Sequence, residues 1–190
     1  MAELRKDALQ MDVRGVYIRS DYHHEISVSE VVMYHSIVRG RIRDLFDSIN
    51  RGEIEPILGA FAPAAEHIFM GDGHALSGRR NRPESIRAWY ERLRRVMPDL
   101  RFELHRIDIA GGPWNTIATV EWTESNTGTD GVRTQNGGVH VIHLRWGKMT
   151  RLLILTDMVP LIATLERTAE SSGGVSVAEP IDDRPGWPAG

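Results

Sequence analysis

Residues 100–156 decide the fold: LRFELHRIDIAGGPWNTIATVEWTESNTGTDGVRTQNGGVHVIHLRWGKMTRLLILT. Three breaks divide this stretch. They are the turn Gly111-Gly112-Pro113, the polar loop Asn126–Gly131 and the tight connection Gly147-Lys148. Between them lie four segments, Leu100–Ala110, Asn115–Glu124, Arg133–Trp146 and Met149–Thr156. Each is rich in β-branched and aromatic residues and is predicted to be a strand. The first alternates Leu100, Phe102 and Leu104 with charged residues, as a half-buried strand does. Connections this short join antiparallel neighbours.

Upstream of these strands the period changes. Val31, Tyr34, Val38, Ile42, Leu45 and Ile49 recur at spacings of three and four, which predicts a helix over Val31–Asn50 ended by Gly52. Ser27 or Ser29 could cap an earlier start near Val28. A short helix over Ile54–Phe61 is stopped by Pro63, and Glu66–Met70 reads as a strand turning at Gly71-Asp72-Gly73. Pro83 opens a third helix carrying Ile86, Trp89, Tyr90, Leu93 and Val96, which stops before Pro98. After the strands, Asp157 caps a last short helix, Pro160–Thr168. Helices followed by a run of strands predict an α+β domain.

A chain of 190 residues with 41% hydrophobic residues suits one domain with a sizeable core. We expect an N-terminal extension over residues 1–30, a domain over 31–170 and a disordered tail over 171–190, which reads SSGGVSVAEPIDDRPGWPAG. The net charge of −3 gives no reason to expect a nucleic-acid partner. With no cysteine, disulfides, thiolate catalysis and zinc-thiolate sites are excluded. No apolar run is long enough for a signal peptide or a membrane span, so a cytoplasmic location is the expectation.

Four short stretches carry a family likeness. Ile49-Asn50-Arg51-Gly52-Glu53 ends the first helix, and Phe61-Ala62-Pro63 precedes the first strand. Gly78-Arg79 runs on to Tyr90, and Gly138-Val139-His140-Val141 runs on to Trp146-Gly147-Lys148. In order and spacing these stretches resemble the SnoaL-like proteins of the nuclear transport factor 2-like superfamily, relatives of ketosteroid isomerase, over roughly residues 33–168. The resemblance implies a curved antiparallel sheet with three helices enclosing a conical apolar pocket, and a homodimer formed through the convex sheet face. It does not imply one activity, because the fold hosts isomerases, cyclases, dehydratases, epoxide hydrolases and binding modules.

Strand parity selects the site candidates. Charged Arg145 and His143 share one face of their strand, which leaves His140, Ile142 and Leu144 facing inward. The resemblance agrees, because the position similar to His140 holds an acidic pocket residue in ketosteroid isomerase. An imidazole there titrates near neutrality and suits acid/base work. His67 and Glu121 are its candidate catalytic partners. Phe69, Trp89, Tyr90, Ile142, Leu144 and Ile154 are the candidate ligand-binding residues.

Other residues are set aside. His140 and His143 point opposite ways on a strand and are not expected to bind metal together. His23-His24 and the run Arg79-Arg80-Asn81-Arg82 read as solvated. By the resemblance, the isomerase's base falls at about Phe69 and its tyrosine at about Leu45, so the usual isomerase machinery is not expected. The function expected is a cofactor-free, metal-free enzyme acting on a small apolar metabolite. The alternative is a non-catalytic ligand-binding or dimerisation module.

Overall fold

The computed structural model describes residues 28–183. The expected extension up to residue 27, with His23-His24, and tail residues 184–190 lie outside the described residues. The elements are α1 (Val28–Asn50), α2 (Glu55–Ala60), β1 (Phe61–Phe69), β2 (Gly78–Arg80), α3 (Pro83–Val96), β3 (Arg101–Gly112), β4 (Asn115–Asn126), β5 (Thr134–Arg145), β6 (Lys148–Thr156) and α4 (Met158–Arg167).

These strands form one curved sheet in the order β2-β1-β6-β5-β4-β3. The run β3 to β6 is the expected antiparallel meander. Trp146 and Gly147, with φ of 52° and 77°, close the hairpin in which Arg145 pairs with Lys148. Positive φ at both central residues gives a two-residue turn the twist that matches its strands.

The sheet is not wholly antiparallel as expected, because β1 lies parallel to β6, with Phe69 opposite Ile154. The chain leaves β1, passes through β2, α3 and the meander, and returns beside it. Pro63, expected to stop a helix, instead sits inside β1. It occupies the irregular stretch between Phe61 and Glu66, where the ladder does not need its missing N–H.

The sheet's concave face is covered by helices. Val38, Ile42 and Phe46 of α1 and Ile86, Trp89, Tyr90, Leu93 and Val96 of α3 pack in one core with Val120, Ile142 and Ile154 of the sheet. At the end of α1, the Asn50 side chain donates to the Phe102 carbonyl (2.9 Å) and accepts from the Phe102 N–H (2.7 Å). This amide takes the place of a neighbouring strand at the edge of β3 and anchors α1 over the sheet.

Residues 171–183 differ from the disordered tail that composition suggests. Val175–Val177 form a 3-10 turn in which Ser176 is buried and donates to the Leu165 carbonyl. Arg80 donates to the Ile181 carbonyl (2.9 Å). The Asp183 carboxylate accepts from the backbone N–H groups of Asn81 and Arg82 and from Ser85 Oγ. Arg82 at the start of α3 has no capping side chain of its own, so a carboxylate about a hundred residues away caps that helix. Local composition carries no signal for such a long-range partner.

Candidate active site

Two adjoining chambers lie between the helices and the sheet. The larger, about 270 Å³, is lined by α1, α2 and the ends of β5 and β6, including Tyr34, Ile42, Leu45, Ile57, Leu144 and Met149. The smaller, about 50 Å³, lies between α3 and the sheet and is lined by Phe69, Trp89, Ile154, Leu161, Glu124 and Asn136 among others. Ile49, Tyr90 and His140 line both and stand between them.

His140 lies midway along β5, with Val120 of β4 on one side and Ile154 of β6 on the other. It is 7% exposed. The indole N–H of Trp122 donates to its Nδ1. Because Nδ1 accepts, the ring proton of the neutral imidazole resides on Nε2. The edges of Phe46 and Phe102 close around the ring at centroid distances of 5.2 and 6.2 Å. Burial in this aromatic box pushes the imidazole down to about pKa 3. That corrects the expectation of an acid/base group titrating near neutrality. At neutral pH His140 is a fixed hydrogen-bond donor.

Trp122 reaches His140 because residue 138 is glycine. A Cβ at Gly138 would lie 2.5 Å from the Trp122 ring and 2.3 Å from the Leu155 carbonyl oxygen.

The other sequence candidates divide sharply. Ile142 and Leu144 line the larger chamber, Phe69, Trp89 and Ile154 the smaller, and Tyr90 both. His67 lines neither. It is fully buried behind Trp89, Tyr90 and Phe61, its Nδ1 accepts from Arg80 Nε at 3.2 Å, and its Nε2 has no partner. Burial and the neighbouring Arg80 cation push its pKa down. Arg80, expected in a solvated loop, is itself fully buried. It donates to the carbonyls of Ser77, Gly78 and Ile181, and burial lowers its pKa to about 10.

Glu121 is exposed, on the outer face of β4, and is removed from the interior set. The inward residues of that strand are Thr116, Ala118, Val120, Trp122, Glu124 and Asn126. Their alternation is present in the sequence and marks Glu124, not Glu121, as the interior carboxylate. Glu124 is 7% exposed, its Oε2 accepts from Asn126 Nδ2 (3.0 Å), and burial raises its pKa. Glu124 is the interior carboxylate that the sequence reading does not single out.

As strand parity requires, His143 lies on the opposite face from His140. Among the described residues, no cluster of three or more His, Asp or Glu side chains could hold a metal ion, and no helix is long and apolar enough to cross a membrane.

Comparison with solved structures finds the same architecture. PrhC from Penicillium brasilianum superposes with a TM-score of 0.63 at 10% identity, covering 76% of this chain and 95% of its own. AclR from Streptomyces galilaeus, a candidate hydroxylase, gives 0.56 at 16% identity, covering 70% and 97%. TerC, co-crystallised with polyporic acid, gives 0.58 at 22% identity, covering 67% and 96%. No curated protein matches the chain. The model of the SnoaL-like domain matches residues 42–152, from the core of α1 into β6. The chain therefore belongs to the SnoaL-like domain family.

Proposed function

We propose that this chain is a cofactor-free enzyme acting on a small, apolar, ring-bearing carbonyl metabolite. The reaction is of the isomerase, cyclase, dehydratase or epoxide hydrolase type. The observation that carries this reading is the orientation of His140. Trp122 occupies Nδ1, so Nε2–H is the imidazole's available donor, in a ring that lines both chambers. A neutral donor held in a low-dielectric cavity stabilises negative charge developing on a carbonyl oxygen without reorganising at the moment of reaction. The TerC structure with polyporic acid supports the use of such a cone for a small organic ligand.

A second reading, a non-catalytic binding module, is favoured by Phe69, Trp89 and Ile154 walling the small chamber. 1-Tetralone, an apolar two-ring ketone, separates the two. Calorimetry reads its binding, and NMR reads exchange of its C2 protons in D2O. The enzyme reading expects both, with exchange falling on the order of a hundredfold in His140→Leu. Binding without exchange favours the module, and neither signal overturns the assignment of the cavity. We further propose that two copies pair through the outer sheet face, where Ile117 and Leu155 are exposed. A purely monomeric species in analytical ultracentrifugation would contradict that pairing.

A further inference from the structure

The small chamber has a polar end of its own. Glu124 and Asn136 oppose each other across β4 and β5, and Thr156 of β6 also lines the space. Glu124 is the carboxylate that lines this chamber, and it is almost wholly buried. Oε2 is occupied by the Asn126 amide, whereas Oε1 makes no hydrogen bond within the described residues. Asn126 is itself committed, accepting from the Gly128 N–H (2.9 Å) while it donates to Glu124. The carboxyl group is thus held from one side and open on the other. Oε1 is therefore not sealed, and a ligand or water can reach it.

About 50 Å³ is too little for a ring and enough for one polar substituent or a water. Ile49, Tyr90 and His140 stand between this space and a chamber large enough for a ring system.

We propose that Glu124 is a specificity-determining residue that accepts a hydrogen bond from a hydroxyl group on the ligand. The ligand is then a two-ended molecule. An apolar ring body fills the large chamber, an oxygen acceptor meets His140 between the chambers, and a hydroxyl projects into the small chamber. This inference rests on the reading of His140 given above and adds the second polar end.

The test uses the full-length protein and two probes that differ by one group, 1-tetralone and 7-hydroxy-1-tetralone, whose hydroxyl lies on the same edge of the ring system as the carbonyl. Calorimetry gives the ratio of their affinities. Wild type is expected to prefer the hydroxylated ketone about tenfold, the effect of one hydrogen bond to a buried charged or polar acceptor. In Glu124→Leu the ratio is expected to collapse to about one, and in Glu124→Gln, which keeps an acceptor oxygen, to fall only severalfold. Where Glu124→Leu does not fold by circular dichroism, the Glu124→Gln ratio decides. A wild-type ratio that persists in the variants overturns the inference. Equal binding of both ketones by wild type overturns it while leaving the proposed function intact. Binding of neither ketone overturns both.

Discussion

His140 and His67 are both buried imidazoles on inward-facing strand positions, and both accept a hydrogen bond at Nδ1. Trp122 donates to one and Arg80 to the other. Burial lowers the pKa of both. Their settings nevertheless lead to different roles. His140 lines both chambers. His67 faces the rings of Trp89 and Tyr90 at 4.5 and 5.5 Å, its Nε2 is sealed, and its donor is a cation whose remaining hydrogen bonds go to backbone carbonyls. A perturbed buried histidine therefore does not by itself mark a site. Access to a cavity separates the cavity-lining histidine from the sealed one.

The largest expected effect breaks the structural half of this pair. Arg80→Leu leaves His67 Nδ1 and three carbonyls without their donor and should cost about 3–5 kcal/mol in urea denaturation, or prevent folding. Gly138→Ala attacks the other half. Its new Cβ collides with a backbone oxygen and with the Trp122 ring. A loss of about 2–3 kcal/mol is expected, together with a weakened hold on His140. His140→Leu should be milder, about 1–2 kcal/mol from the orphaned Trp122 N–H, while weakening binding of ketone probes about tenfold.

Acid sharpens the comparison further. Unfolded histidine gains a proton near pH 6.5, but folded His140 stays neutral down to about pH 3. The unfolded chain then binds more protons across that window, so stability is complete above about pH 6.5 and falls as the pH drops toward 3. Denaturation midpoints measured between pH 7.5 and 4 should show a shallower decline in His140→Leu than in wild type. The smallest effect is Asp183→Ala, about 1 kcal/mol from the lost cap on α3, with ketone binding unchanged.

The meander, the three main helices and the inward face of β5 could be read from the sequence because each rests on a local period or a turn signal. The turn between β5 and β6 was legible, but its central residues are Trp146 and Gly147, one position before the expected Gly147-Lys148. The parallel seat of β1 beside β6 depends on segments some ninety residues apart, and no local period encodes it. Likewise, the burial of Arg80 and the capping by Asp183 depend on a tail whose composition alone suggests disorder. Glu121 was misplaced although Ala118, Val120 and Trp122 already set the parity of β4. Whether an inward histidine opens onto a cavity or is sealed by aromatic rings depends on α3, which strand parity does not see.

His140 is a neutral donor with its proton on Nε2. The most direct measurement is the 15N NMR signature of its imidazole, recorded from pH 8 to pH 4 with His140→Leu for assignment. The expected result is the Nε2–H tautomer throughout, with no titration in that range. A proton on Nδ1, or a titration centred near pH 6.5, would contradict it.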